Sequence, residues 1–251
     1  MTRLQVIVPV AAQRAAAVHD APLDNEALWG EIFILQRKEN GFGFGMLAHD
    51  GYEGWIDLRC LGHLPDATAT VAVPMTIVTQ TSDIKSQSLF SLSFGSKLHH
   101  LGTVGDQAEI VTTEGRGFVP ACHILPQKAY VRDWVAVAES FTASPYKWGG
   151  RSAFGLDCSA LVQLSMAAGG MAVPRDSGPQ KEIGTSLELD ASLKRGDLIF
   201  WEGHVGIMTT GETLLHANAY HMAVAREPLR KAASRIAKAA AGDITAIRRP
   251  S

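Results

Sequence analysis

The sequence predicts two small all-β barrels followed by an α+β domain, in a chain of 251 residues. Three observations support this prediction. Fragments of the first half recur 63 or 65 residues later, the same half is rich in short apolar–polar alternations, and helical periodicity begins only after about residue 128. Because a chain of this length can bury more than one core, we place the domains at 1–62, 63–127 and 128–251.

The repeat is carried by three pairs of fragments: Val8-Pro9-Val10 and Val73-Pro74-Met75, Trp29-Gly30-Glu31 and Phe94-Gly95-Ser96, Gly54-Trp55-Ile56 and Gly117-Phe118-Val119. Short alternations between glycine and Asx turns predict the strands Ile32 to Leu35, Phe42 to Leu47, Lys97 to Leu101 and Ala108 to Thr112. Each barrel is expected to begin with an edge strand that carries Pro9 or Pro74, where a missing N–H costs no hydrogen bond.

The third domain opens with helices and continues with strands. Asp133 to Phe141 has one apolar face, and a second helix runs from Cys158 to about Ala168, where two glycines stop it. The later segments are predicted as three apolar strands, an alanine-rich helix and a closing strand: Asp197 to Trp201, His204 to Met208, Thr213 to His216, Glu227 to Ala241 and Asp243 to Arg248. Helices followed by an antiparallel sheet predict an α+β domain.

Composition narrows the class of protein. The formal charge is −2 and the 23 basic residues are dispersed, which argues against nucleic-acid binding. No stretch reaches the roughly 18 apolar residues of a membrane span, and the first residues make a poor secretory signal. The three cysteines do not suggest a disulfide framework, so we expect a reducing, cytoplasmic setting.

The most informative segment is Gly155 to Gln163, which places Cys158 at the start of a predicted helix. The positive end of the helix dipole and its unpaired N–H groups favour thiolate over thiol, and thiolate is the nucleophile. Without a base, Cys158 would be only a small buried apolar residue.

Two downstream histidines can supply that base. His204 opens one predicted strand and His216 ends the next, with the turn Thr209 to Glu212 between them. Both lie several residues from the turn, so neighbouring antiparallel strands could set their side chains together on one face. Each histidine alone is an ordinary strand residue, but a helix-start cysteine followed by both points to a cysteine hydrolase. The absence of H-E-x-x-H and paired C-x-x-C motifs predicts that no metal or other cofactor is used.

The quoted segments resemble the NlpC/P60 peptidases, which have a papain-like fold and hydrolyse bacterial cell-wall peptides. The match covers about 145–230 and comprises Pro145 to Gly150, Gly155 to Gln163, Pro174 to Ser177, Lys194 to Phe200, His204 to Ile207 and Leu215 to Ala217. One departure is Ala160, where the family usually has glycine, and a helix tolerates alanine better.

The resemblance implies a role for each matching residue. Cys158 is the expected nucleophile, His204 the base and His216 the residue that orients it, with the Cys158 N–H helping to hold the oxyanion. The expected substrate-lining residues are Trp148, Asp157, Ser159 and Ser177. Asp157 has a plain alternative role as the helix N-cap, and both roles can hold at once.

The repeated β units resemble the bacterial SH3 domains that precede such a domain in γ-D-glutamyl-L-diamino acid endopeptidases. In that group the first SH3 domain restricts substrates to peptides with a free N-terminal L-alanine. The residues matching this role are Glu31 and Tyr52, since a carboxylate and a phenol can capture a peptide amine. The alternative is a solvated glutamate and a barrel-surface tyrosine.

Together these features predict a cytoplasmic cysteine endopeptidase that cuts the γ-D-Glu–diamino acid bond of murein tri- or tetrapeptides during cell-wall recycling. Two alternatives remain open: an amide or acyl transferase on the same scaffold, and an idle wall-binding protein whose SH3 domains are the working part. The sequence leaves the diamino acid open between diaminopimelate and lysine, and it sets no oligomeric state.

Overall fold

The structure is a computed structural model that describes residues 1–239 and 242–250. The chain divides into two compact units, one comprising 1–129 with 149–154 and the other 130–148 with 155–251. Within the described residues, no helix has both the length and the apolar character needed to cross a bilayer. The domain limits 1–62, 63–127 and 128–251 stay a prediction.

The first half of unit 1 is a seven-stranded antiparallel sheet in the order β3-β2-β6-β5-β4-β1-β7. Its strands are β1 Thr2–Val6, β2 Val10–Arg14, β3 Leu23–Leu28, β4 Ile32–Glu39, β5 Phe42–Leu47, β6 Glu53–Asp57 and β7 Leu61–Gly62, with a 3-10 turn at Leu58–Cys60. Strands β4 and β5 form a hairpin through Asn40 (φ 49°) and Gly41 (φ 80°), the left-handed pair that a tight two-residue turn requires. The predicted strand Phe42 to Leu47 is therefore confirmed.

The second half repeats this architecture with a five-stranded sheet, β10-β9-β14-β13-β12, and a three-stranded sheet, β11-β8-β15. The strands are β8 Ala69–Val71, β9 Met75–Thr79, β10 Ser88–Ser93, β11 Lys97–Leu98, β12 His100–Val104, β13 Gln107–Thr112, β14 Gly115–Pro120 and β15 Ile124–Pro126, with a 3-10 turn at Ala121–His123. The single strand predicted over Lys97 to Leu101 is divided at His99. Unit 1 also contains β16, Arg151–Ser152.

The two halves share hydrogen bonds as well as sequence. Gly30 (φ 74°) donates to the Val6 carbonyl, and Gly95 (φ 87°), 65 residues later, donates to the carbonyl of Val71. Gly30 is also a close approach, because a Cβ there would lie 2.1 Å from the Lys97 carbonyl oxygen. At Gly30 only glycine meets both the positive φ and the contact, and the positive φ shared with position 95 explains why glycine recurs there.

The prediction for the two prolines is wrong in detail. Pro9 and Pro74 lie just before β2 and β9 and not inside a strand. Their carbonyls accept from the N–H groups of Trp29 and Phe94, at 3.2 and 3.0 Å. Each proline thus ends the preceding turn, where it has no ladder hydrogen bond to lose.

Unit 2 packs helices against a six-stranded sheet in the order β18-β23-β19-β20-β21-β22. The helices are α1 Trp134–Ser140, α2 Cys158–Ala168, α3 Ser177–Gln180 and α4 Leu229–Ala237. The strands are β17 Gly155–Leu156, β18 Thr185–Leu187, β19 Leu198–Trp201, β20 His204–Met208, β21 Thr213–Asn218, β22 Ala223–Pro228 and β23 Ala246–Arg249.

Helix α2 is the centre of this unit, since every residue from Cys158 to Met166 is buried. Asp157 caps its first turn by accepting from the Ala160 N–H at 2.8 Å. Its end at Ala168 is followed by Gly169 and Gly170 (φ 84°), as the sequence predicts. Helix α1 packs against it, and both predicted helices are confirmed.

One prediction fails in a way that matters for the site. The sequence predicts Glu227 at the start of an alanine-rich helix, but it lies in β22, and α4 begins at Leu229. The predicted helix end, Ala241, lies outside the described residues. Alanine and glutamate are poor strand formers, so the strand over 223–228 is hard to recognise from its sequence. Its conformation is decided by antiparallel pairing with the whole of β21.

Candidate active site

Cys158 is the first residue of α2 and only 8% exposed. The N–H groups of Val205 and Ser159 face its sulfur, and Val205 directly follows His204. The fold therefore brings the predicted nucleophile next to the strand that carries the predicted base. The first N–H groups of a helix have no acceptor within it, and Asp157 caps that of Ala160. The Cys158 N–H is thus suited to meet an oxyanion.

The expected preference for thiolate is not supported. Burial, reinforced by the charge of Asp157, raises the pKa of the Cys158 thiol to about 12, although the two N–H groups act in the opposite direction. Burial also lowers the pKa of His204 to about 3. Both groups are neutral at rest, so attack by the sulfur would require a base such as His204 to take the proton in the same step.

The two histidines lie side by side, as the hairpin geometry predicts. His204 Nε2 and His216 Nδ1 are 2.8 Å apart, and the two ring centroids are separated by 5.1 Å. His216 is fully buried, and burial lowers its pKa to about 4 although Glu227 opposes the shift. The arrangement suits a base and its orienting partner.

The sequence reasoning missed the two residues behind this pair. His216 Nε2 lies 2.8 Å from Glu227 Oε1, and Arg235 of α4 donates to both Glu227 oxygens at 2.5 and 2.6 Å. Burial raises the pKa of Glu227, but the hydrogen bonds from Arg235 and His216 outweigh it and lower that pKa to about 2. The only sequence signal was the weak alternation of β22.

On the nucleophile side, Asp157 and Ser159 form a buried cluster with Arg175. Arg175 donates to the two Asp157 oxygens at 2.9 and 2.7 Å and to Ser159 Oγ at 2.9 Å. Ser159 Oγ donates in turn to Asp157 at 3.1 Å. The N-cap role of Asp157 is confirmed, while the substrate role of both residues stays a prediction. Arg175 belongs to the matching segment Pro174 to Ser177, but the sequence predicts no function for it.

The other expected substrate residues of unit 2 are more open. Trp148 is 72% exposed, and Ser177 is half-buried at the start of α3. Tyr146 was not assigned a role, yet burial together with the charges of Cys158 and Asp157 raises the pKa of its phenol to about 12. The phenol is therefore a neutral donor beside the nucleophile.

Glu31 and Tyr52 belong to unit 1. Glu31 is 5% exposed, and its carboxylate accepts from both terminal nitrogens of Arg151 at 2.8 and 2.9 Å. Burial raises the pKa of Glu31, but the charges of Arg151 and His49 outweigh it and leave that pKa lowered. Tyr52 is half-buried, and its backbone N–H donates to Asp50. Any amine that meets Glu31 has to compete with Arg151, and the substrate role of both residues stays a prediction.

One group of side chains could in principle hold a metal ion. One ligand atom each from His216, His221 and Glu227 lie within 4.8 Å of one another. Arg235 already holds both Glu227 oxygens, however, and His221 Nδ1 lies 3.0 Å from Asn218 Oδ1. An added cation would be repelled by the guanidinium, so the group is better suited to hydrogen bonding.

A helix-start cysteine next to a histidine strand, with a second polar residue orienting the histidine, is the site of a papain-like cysteine peptidase. The comparisons with known proteins agree with this class. The NlpC/P60 family model matches residues 143–239, and a model described as the bacterial dipeptidyl-peptidase Sh3 domain matches 14–61. The family models thus show one SH3 domain, and the second stays a prediction.

The chain belongs to the NlpC/P60 family. It is 34% identical over 228 residues to the γ-D-glutamyl-L-lysine dipeptidyl-peptidase of Bacillus subtilis, a match that covers 82% of this chain and 75% of that protein. It is 35% identical to dipeptidyl-peptidase 6 of Lysinibacillus sphaericus, over 79% of this chain and 81% of the relative.

A solved structure shows the same fold. The crystal structure of an NlpC/P60 family protein from Bacillus cereus matches 99% of each chain with a TM-score of 0.84 and 19% identity. The predicted fold class, an SH3-like all-β region before a papain-like α+β domain, is confirmed.

Proposed function

We propose that this cysteine peptidase hydrolyses the γ-D-Glu–diamino acid bond of murein tri- and tetrapeptides with a free N-terminal L-alanine. The observation that carries the proposal is the site built from Cys158, His204 and His216. The names of the relatives from B. subtilis and L. sphaericus, both dipeptidyl-peptidases, support the choice of bond and the need for a free N-terminus.

The chemistry follows from the residues of unit 2. The Cys158 sulfur attacks the γ-carbonyl carbon while its proton passes to His204, and the Cys158 N–H stabilises the oxyanion. His204 then donates the proton to the leaving amine, so the C–N bond breaks and a thioester forms. Water, deprotonated by His204, cleaves the thioester and restores the thiol.

The proposal includes a role for unit 1 in selecting the amine end of the peptide through Glu31 and Tyr52. It also includes a place in cell-wall peptide recycling in the cytoplasm. The three free cysteines, Cys60, Cys122 and Cys158, suit a reducing compartment.

The test uses L-Ala-γ-D-Glu-L-Lys, its diaminopimelate counterpart and the N-acetylated form of each. We expect release of the free diamino acid from both unblocked peptides, and a loss of kcat/KM for the acetylated ones. Cys158→Ala is the control for background cleavage. The proposal fails if the unblocked peptides stay uncut while Cys158 is reduced and accessible. Conversion of an added amine into product would instead indicate a transferase.

A further inference from the structure

The ion pair of Glu227 and Arg235 lies behind the two histidines. The cleavage steps proposed above do not use it. Glu227 accepts from His216 and from Arg235 of the following helix, and His221 Nδ1 lies 3.9 Å from its Oε1. Arg235 is in turn fixed by stacking over the Tyr220 ring, 4.2 Å from its centroid. Burying a carboxylate is costly, so its placement against a catalytic histidine calls for a reason.

The hydrogen bonds permit one consistent arrangement of protons. His204 can take the Cys158 proton only on Nδ1, because its Nε2 is bonded to His216 Nδ1. His204 must therefore carry its own proton on Nε2 and donate it to His216 Nδ1. His216 then needs its proton on Nε2, where only an acceptor can face it. Glu227 Oε1, 2.8 Å away, is that acceptor.

We propose that Glu227, held by Arg235, is a positioning residue that fixes the tautomer of His216 and thereby keeps His204 Nδ1 free to act as the base. The expected effect on turnover rests on the proposed function, whereas the expected tautomer of His216 does not. It concerns an extra partner behind the orienting residue: Glu227 accepts from His216, and His216 accepts from His204, which faces Cys158.

The charges around the pair act together. The titratable side chains that face His216 come from four elements. They are His204 of β20, Glu227 of β22, Arg235 of α4 and His221 of the loop after β21. An ionised carboxylate accepts only, so it cannot support the opposite tautomer of His216. Arg235 keeps it ionised, since its guanidinium forms a two-point pair with the carboxylate.

The test compares Glu227→Met, which removes the acceptor, with Glu227→Gln, which keeps an acceptor oxygen but loses the charge. In the amide, the oxygen is expected to face His216 and one arm of Arg235. The matched control is Glu212→Met, at an exposed glutamate in the turn between β20 and β21. Circular dichroism and thermal unfolding show which variants are folded; if the Met variant is not, the tautomer of His216 in the wild-type protein decides, since a proton on Nδ1 would contradict the proposal.

The readouts are the His216 tautomer from long-range ¹H–¹⁵N spectra and the rate at which iodoacetamide alkylates Cys158, measured by peptide mass spectrometry. Neither depends on the choice of substrate, so both remain valid if the proposed function fails. Turnover of L-Ala-γ-D-Glu-L-Lys is the third readout.

In the wild-type protein we expect the proton of His216 on Nε2. In Glu227→Met we expect a mixed tautomer, slower alkylation, and a fall in kcat of at least about tenfold with little change in KM. The upper limit is the whole general-base contribution, about 10²–10⁴. Glu227→Gln should retain the tautomer and most of the alkylation rate, and Glu212→Met should match the wild type.

Two results would overturn the proposal. One is a folded Glu227→Met protein with an unchanged His216 tautomer and alkylation rate. The other is a loss of the same size when the wild-type protein is dialysed against a chelator, which would make Glu227 a metal ligand beside His216 and His221.

Discussion

The proposed nucleophile, Cys158, and the proposed base, His204, are each supported by an arginine–carboxylate pair, and the arginines of the two pairs differ in their access to water. The Arg175 side chain beside Asp157 is 1% exposed, whereas that of Arg235 beside Glu227 is 25% exposed. The first pair caps α2 and holds Ser159; the second contacts a histidine. We therefore expect the Asp157–Arg175 pair to contribute mainly to folding stability. The Glu227–Arg235 pair is expected to act mainly on the placement of protons on the histidines.

Replacing each arginine by leucine tests this comparison most strongly. Arg175→Leu leaves Asp157 buried without its charge partner, and we expect the free energy of unfolding to fall by about 3–5 kcal/mol. Arg235→Leu breaks a pair whose guanidinium is already 25% exposed and partly solvated, so we expect a smaller loss, of about 1 kcal/mol or less. Urea titrations of both variants measure the effects, and equal losses would contradict the comparison.

A third arginine–carboxylate pair, Arg151–Glu31 in unit 1, extends the comparison. Both of its side chains are buried, and it lies far in sequence from the histidines, so it tests burial alone. Glu31→Gln weakens hydrogen bonds to a charged group, and we expect a loss of about 1.5–3 kcal/mol. Ser96→Ala is the control at the repeat-equivalent position. Within the described residues its Oγ has no hydrogen-bond partner, so the change should lie within about 1 kcal/mol of neutral. A larger loss in Ser96→Ala than in Glu31→Gln would refute this account.

Acidification is expected to lower the folding stability through the histidines of the base side. His204 and His216 have pKa values lowered from 6.5 to about 3 and about 4, so near pH 5 the unfolded chain binds protons that the folded chain does not. Stability is therefore full above pH 6.5 and falls toward pH 3, by at most about 1.4 kcal/mol per pH unit for each histidine. Urea unfolding at pH 7, 6 and 5 measures the slope.

The control for this prediction is the double variant His204→Gln and His216→Gln, which should flatten the slope between pH 6.5 and 5. Glu227 adds a further loss only below about pH 4.5, because its lowered pKa lies near 2. An unchanged slope in the double variant would show that other groups control the acid response.

The sequence predicted the elements that carry local signals. Helix α2 was predicted from Cys158 to Ala168 because its cap, apolar run and terminal glycines agree, and the strand His204–Met208 because it is apolar between glycine turns. The turn at Trp29-Gly30-Glu31 recurs as Phe94-Gly95-Ser96 with its glycine retained, because both glycines have a positive φ. The contact between His204 and His216 also followed from sequence, since a short hairpin constrains which residues share a face.

What the sequence could not provide was the environment of each charge. The Cys158 thiol was expected to ionise easily at a helix start, but burial raises its pKa, and burial is a property of the packed domain. Glu227 was assigned to a helix because its neighbours favour one, and only pairing with β21 placed it in a strand against His216.

The amino-acid sequence by itself therefore determined that Cys158 begins a helix and that His204 and His216 lie side by side, because both features follow from local turns and helix caps. The tertiary structure alone decided which carboxylate and which arginine support them. Those contacts join β21, β22 and α4, and their energies depend on how fully each group is removed from water.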